Sequence, residues 1–154
     1  MKLKICWIGK TKEPAIRTLT TEYVQRIRHY LPVEPCELRD ESSLMESWAK
    51  ERARPLLVLL DARGRQVSSE ELAAFLAEHQ ERGTPLLMFA VGPADGWSAD
   101  LWSRTSAGSG NTGQVISLSL GRITMAHEIA RVVLLEQIYR AFTILKGHPY
   151  HSGH

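Results

Sequence analysis

Pro55-Leu56-Leu57-Val58-Leu59-Leu60-Asp61 is the stretch that decides the fold. Its aliphatic run is far too short to span a bilayer and leaves no polar side for water, so it reads as a strand buried on both faces. Such strands belong to parallel sheets covered by helices, and the flanking sequence follows suit. On the N-terminal side, Leu3 to Gly9 reads as another buried strand. Glu13 to Tyr30 then places Ile16, Leu19, Tyr23, Ile27 and Leu31 at helical spacings of three and four. Pro32 stops that helix, Val33 to Leu38 is a short strand, and Ser42 to Ala53 a helix.

On the C-terminal side, Asp61-Ala62-Arg63-Gly64 reads as a turn. A helix capped near Ser68 and Ser69 follows, favoured by the early Glu70 and Glu71 and closed at Gly83. Leu86 to Val91 is again apolar throughout, followed by the loop Gly92-Pro93-Ala94-Asp95-Gly96, a short helix from Ser98 to about Ser106, and a last strand from Gln114 to Leu120. The final helix, about Ala126 to Lys146, is ended by Gly147. Five strands interleaved with five helices predict one α/β domain over residues 1–154, a mostly parallel sheet flanked by helices. Loops at Asp61, Gly92 and Gly121 then gather at the strands' carboxyl ends, where such folds bind ligands.

Composition narrows the classes. With 154 residues, 44% hydrophobic and 23% charged, the chain can bury a full core without staples. Cys6 and Cys36 form no disulfide framework and read as buried thiols of a reducing compartment. Met1-Lys2-Leu3-Lys4-Ile5 lacks a signal-peptide core and no run reaches membrane-spanning length, so a cytoplasmic protein is expected. The net charge of +2 is unevenly spread: residues 1–30 carry seven Lys or Arg against Glu13 and Glu22, while the middle is acidic. A basic face made by the two ends suits a phosphate-rich partner, with Lys2, Lys4, Lys10, Lys12, Arg17, Arg26 and Arg28 as candidate phosphate contacts.

Several motifs fail on context. Gly108 to Gly113 satisfies the dinucleotide pattern but follows a helix and precedes a strand, the reverse of what holds a phosphate on a helix start. Gly9-Lys10-Thr11 has Lys4 where a phosphate loop needs glycine. His127-Glu128 opens a zinc-protease pattern whose second ligand position is Arg131, and His148, His151 and His154 have no Cys or carboxylate beside them, so no metal is expected.

Polar groups concentrate from Ser119 to His151. On a helix His127 and Arg131 share a face, as do Glu136 and Arg140, while Ile129, Val132 to Leu135, Ile138, Phe142 and Leu145 make the helix apolar around most of its circumference. The residues leave two readings open: internal ion pairs locking a core helix, or a polar site at the helix start with an interface elsewhere.

The run Ser119-Leu120-Gly121-Arg122-Ile123-Thr124-Met125-Ala126-His127-Glu128-Ile129-Ala130-Arg131 closely resembles the RlmH family of SPOUT-class 23S ribosomal RNA methyltransferases. So do Leu135-Glu136-Gln137-Ile138-Tyr139-Arg140-Ala141 and Pro149-Tyr150-His151. Lys2-Leu3, Gly9-Lys10, Leu60-Asp61 and Gly92 to Gly96 extend the likeness over the whole chain. The resemblance implies a C-terminal trefoil knot, a rare exception to unknotted chains, and a homodimer. It implies S-adenosylmethionine as cofactor, held at Leu60, Gly92, Leu120, Gly121, Arg122, Ile123, Thr124 and Met125. It implies N3 of a pseudouridine in the intersubunit stem-loop of 23S rRNA, within the assembled ribosome, as substrate. Arg140, Tyr150 and His151 would then act at the target base: His151 as base or proton relay, Tyr150 by stacking or hydrogen bonding, Arg140 by stabilising an anion or holding a phosphate. Arg131 and Glu136 are expected to be structural. The chain departs from the family at Gly92-Pro93, usually two glycines, and at Asp95, often Glu or Asn; Pro93 has no amide to give a ligand. A non-catalytic ribosome-binding module, or a SPOUT enzyme acting on another RNA such as tRNA, are the competing readings.

Overall fold

The computed structural model describes residues 1–53, 55–105 and 114–152. Strands β1 (Lys2–Ile8), β2 (Val33–Leu38), β3 (Leu56–Gln66), β4 (Leu86–Val91) and β5 (Val115–Ser119) form one sheet in the order β2-β1-β4-β3-β5, and every neighbouring pair is parallel. Between and after them lie α1 (Pro14–Arg28), α2 (Glu41–Lys50), α3 (Ser69–Glu81), α4 (Ala99–Ser103) and α5 (His127–Lys146), with a final 3-10 turn at Pro149–Ser152. The α/β reading with a helix-flanked parallel sheet is therefore what the structure has. The dinucleotide-like run at Gly108 to Gly113 and the tail residue His154 lie outside the described residues.

Alternation along the strands builds two cores. Leu3, Ile5 and Trp7 point to one side, with Val24 and Ile27 of α1, Leu72 and Leu76 of α3, and Leu134, Leu135 and Ile138 of α5. Cys6 and Ile8 point to the other, with Leu44 and Trp48 of α2 and Leu101 of α4. β4 is buried along its whole length, as its unbroken apolar string requires. The caps are local chemistry. Asp40 Oδ1 accepts from the Ser43 amide at 2.8 Å, Ser68 Oγ from Glu71 at 3.0 Å, and Ser98 Oγ from Leu101 at 3.2 Å. Gly147, at φ 67°, ends α5 in the left-handed conformation.

The stretch expected to turn at Asp61 to Gly64 instead stays in β3. Leu60 and Arg65 both pair with Leu118, so four residues bulge out and the strand returns to the same partner. Asp61 and Gly64 are the residues a turn would use, and the bulge uses them for the same reasons. The Asp61 carboxylate accepts from the Arg63 amide at 2.8 Å. A Cβ at position 64 would lie 2.9 to 3.0 Å from the Leu118 and Ser117 backbone, which only glycine avoids. Helix α2 stops at Lys50, short of Ala53, where Glu51 is already extended. No helix among the described residues is long and apolar enough to cross a membrane.

Candidate functional site

At the carboxyl ends of β3, β4 and β5 the sheet opens into a cleft of about 230 Å³. Leu60, Asp61 and Ala62 of β3 form one wall, Gly92 to Ala94 with Gly96 and Trp97 a second, and Leu120, Gly121 and Ile123 to Met125 with His127 and Ala130 a third. The glycines are there for close approach. At Gly92 a Cβ would stand 2.9 Å from the Trp97 indole, and Gly121 adopts φ 140°. Trp97 is fixed in turn by donating from Nε1 to the Leu60 carbonyl at 3.2 Å, which couples two of the walls. Ser119 Oγ bridges the Gly121 amide and carbonyl at 3.1 and 2.8 Å. Beyond Gly121, the backbone of residues 122–125 takes no hydrogen-bond partner among the described residues, and Ala126 caps α5 without a side-chain bond. The cleft thus presents backbone groups and a positive helix end inside apolar walls.

The start of α5 is pinned from behind. Arg131 is buried, 2% exposed; its Nη1 donates to Thr11 Oγ1 at 2.8 Å and its guanidinium lies 4.2 Å from the centre of the Trp7 ring. Thr11 (amide and hydroxyl) and Trp7 Nε1 all donate to Glu37 Oε1 at 3.1 to 3.2 Å, and these bonds hold the carboxyl below its ordinary range against the opposing effect of desolvation. Burial pulls the Arg131 guanidinium down, and its Nε has no hydrogen-bond partner among the described residues. One turn earlier, Glu128 Oε1 accepts from the Lys12 amide at 2.5 Å. The loop after β1 is therefore tied to the cleft-forming turn, with Lys10 and Lys12 exposed beside it.

A second polar cluster sits further along α5, from its middle to the tail that packs on it. Glu136 Oε1 accepts from Arg140 at 2.9 and 3.1 Å and from the Tyr150 hydroxyl at 3.1 Å. Tyr150 packs edge-on to Tyr139 at 4.7 Å, lies 5.2 Å from the Arg140 guanidinium, and meets the Tyr23 hydroxyl at 3.5 Å. Desolvation, the Tyr23 hydroxyl and the Glu136 charge push the Tyr150 phenol up, so it stays protonated. His151 lies in the same 3-10 turn, and its Nδ1 is buried with no hydrogen-bond partner among the described residues.

The residues expected to hold the cofactor come together: Leu60, Gly92, Leu120, Gly121, Ile123, Thr124 and Met125 all line the cleft, while Arg122 is exposed and does not. Arg140 and Tyr150 also meet, with His151 in the same turn as Tyr150, but not at that cleft. Arg140 lies thirteen helical steps beyond His127, about 20 Å along the axis. Among the candidate phosphate contacts, Lys4 is corrected: it is 8% exposed and its Nζ donates to Ser47 at 3.0 Å and pairs with Glu51 at 3.5 Å, so it cannot reach a phosphate. Lys2 and Arg26 are paired with Glu34 and Glu22. Trp97, Trp7, Thr11 and Glu37 are the site residues that the sequence reading misses; Trp97, an aromatic directly after the Gly92 to Gly96 loop, is the one with a sequence signal.

Residues 1–151 match the model of the family described as "Predicted SPOUT methyltransferase", and the chain belongs to that family of methyltransferases. More narrowly, it is 51% identical to the Ribosomal RNA large subunit methyltransferase H of Koribacter versatilis, with all of both chains covered. It is 43% identical to the protein of that name from Geobacter metallireducens, over 99% of this chain and 100% of the relative, and 42% to the one from Geobacter sulfurreducens, over 98% and 99%.

Proposed function

We propose that the chain transfers the methyl group of S-adenosylmethionine to N3 of a pseudouridine in the intersubunit stem-loop of 23S rRNA. On this reading it acts on the assembled ribosome in the cytoplasm, as a homodimer whose C-terminal segment is knotted as in its family. The observation that carries it is the convergence of Leu60, Gly92, Leu120, Gly121, Ile123, Thr124 and Met125 on one cleft at the sheet's carboxyl edge. The relatives' shared name supports the substrate.

The lining fits the cofactor. Leu60, Val91, Trp97 and Met125 offer apolar surface for a nucleoside, and the free backbone of residues 122–125 offers donors and acceptors for its polar edges. The uncapped amides at the start of α5 suit the carboxylate of the methionine part. When bound, this group supplies an electrophilic methyl. Gly92 lets the wall approach closely, and Pro93 contributes its carbonyl to the Gly96 amide at 2.9 Å, closing the loop.

The chain's own residues must then orient the base and take its N3 proton. His151 Nδ1, buried and unpartnered, is the group with capacity to hold that proton. A positioned base adds about 10² to 10⁴ in rate. Tyr150, kept protonated, orients by stacking or donation rather than acting as a base. Arg140, held by Glu136, faces the developing N3 anion or a neighbouring phosphate. The separation of about 20 Å along α5 favours a composite site, in which the tail cluster of one protomer serves its partner's cleft. Lys10, Lys12, Arg17 and Arg28, exposed and without a carboxylate partner among the described residues, are the remaining phosphate contacts.

Titration calorimetry with S-adenosylmethionine tests the reading at its base: saturable binding that Gly121→Val abolishes is expected, and no binding overturns it. His151→Ala, folded and cofactor-competent, should lose single-turnover methylation; a wild-type rate removes His151 from the chemistry.

A further inference from the structure

Cys6 and Cys36, separate in the sequence, are direct register partners in the parallel β1/β2 pair. Neighbouring strands lie about 4.8 Å apart, inside the span of roughly 4.4 to 6.8 Å between Cα atoms that a disulfide bridges. Both side chains emerge on the face covered by α2. Cys6 is wholly buried in that core, and Cys36 packs against the same core but is only half-buried, on the edge strand of the sheet. As register partners on adjacent strands, the two thiols are close enough to influence each other's titration. We propose that Cys36 and Cys6 form a thiol-exchange site for low-molecular-weight disulfides, Cys36 attacking and Cys6 resolving. The inference rests on strand register and burial and is independent of the methyl-transfer reading.

The roles follow from access and from charge. Only Cys36 can be reached from solvent. The neighbouring Cys6 thiol, helped by the Lys4 cation, draws the Cys36 thiol below its ordinary value against the effect of burial, which favours the thiolate on the accessible cysteine. The same pairing, with burial, pushes the Cys6 thiol up. In the first step the Cys36 thiolate attacks one sulfur of the small disulfide; the S–S bond breaks, and the other sulfur leaves and takes up the proton Cys36 gave away. In the second, Cys6 surrenders its proton and its sulfur attacks that of Cys36; the mixed disulfide breaks, and the departing thiolate takes that proton. Two protein thiols are oxidised to one disulfide and one small disulfide is reduced to two thiols. The new bond would close the β1-α1-β2 loop one register step before the Trp7 and Glu37 pair that braces Arg131.

The test uses the full chain, reduced, freed of reductant, and exposed to excess glutathione disulfide while folded, with intact-mass and peptide mapping. Wild type should lose two hydrogens through a Cys6–Cys36 bond without accumulating adduct. Cys6→Ala should stop at a glutathione adduct on Cys36, and Cys36→Ala should be inert. The oxidised wild type should melt about 5–15 °C higher than the reduced form, as cross-linking a loop of this size in a domain of this length gives. An unreactive wild type, a stable adduct on Cys36 in wild type, or a Cys36→Ala protein as reactive as Cys6→Ala overturns the proposal. Should Cys6→Ala fail to fold, Cys6→Ser replaces it, with the same expected adduct.

Discussion

Gly92→Ala tests the cleft where its walls are tightest. The added methyl would stand 2.9 Å from Trp97 Cε2 and 3.2 Å from Cδ2 and Cζ2, closer than carbon atoms pack. The indole has little freedom to yield, being 7% exposed and anchored through Nε1 to the Leu60 carbonyl at 3.2 Å. Overpacking of this kind costs about 1–3 kcal/mol. If the ring moves far enough to release Leu60, a further ~1 kcal/mol is lost. A total of about 2–4 kcal/mol lowers the melting temperature by roughly 4–16 °C in a chain of this length. Because the displaced ring and the freed carbonyl both face the cleft, cofactor affinity should fall by about tenfold or more, equivalent to some 1.4 kcal/mol. Scanning calorimetry and titration with S-adenosylmethionine read the two effects. Gly83→Ala is the control: Gly83 has φ 72° and open space around it, so alanine there costs about 1 kcal/mol of backbone strain and leaves binding alone. A Gly92→Ala protein that melts within about 1 °C of wild type and binds equally well would refute the packing argument.

Arg131→Met should cost about 1–3 kcal/mol by urea unfolding: the cation over Trp7 and the bond to Thr11 go, while relief from burying a guanidinium with an unpartnered Nε offsets part of the loss. Glu136→Gln should cost about 1–2 kcal/mol, since the charge of a mostly buried ion pair is lost while Gln keeps an oxygen to accept from Arg140 and Tyr150, and should lower single-turnover methylation about tenfold by loosening both. The Asp61 carboxyl is held below its ordinary value by the hydrogen bond from Arg63. Its contribution to stability is therefore present above the unfolded value near 3.8 and lost as pH falls through the depressed folded one, and Asp61→Asn should flatten that acid limb of a melting-versus-pH curve.

What the sequence makes legible is whatever depends on near neighbours. Leu56 to Leu60 and Leu86 to Val91 declare buried parallel strands by composition alone, Ser68 and Gly147 mark helix ends, and Glu136 with Arg140 pair at helical spacing. The bulge at Asp61 to Gly64 escapes such reading because a turn and a bulge use the same Asp and Gly chemistry. Partners fixed by strand order escape it too. Cys6 meets Cys36 only because β2 lies beside β1, and Arg131 meets Trp7 and Thr11 across more than a hundred residues. Tyr150 joins Glu136 only once the tail folds back on α5. For the cleft, periodicity locates the three loops, and family resemblance names the residues within them.

The most direct measurement incubates the protein with labelled S-adenosylmethionine and assembled ribosomes lacking the modification, then maps the label by mass spectrometry of the rRNA. The account predicts one methyl on N3 of a pseudouridine in the intersubunit stem-loop of 23S rRNA. Label confined to another nucleotide or another RNA, or none from a protein that binds the cofactor, would contradict it.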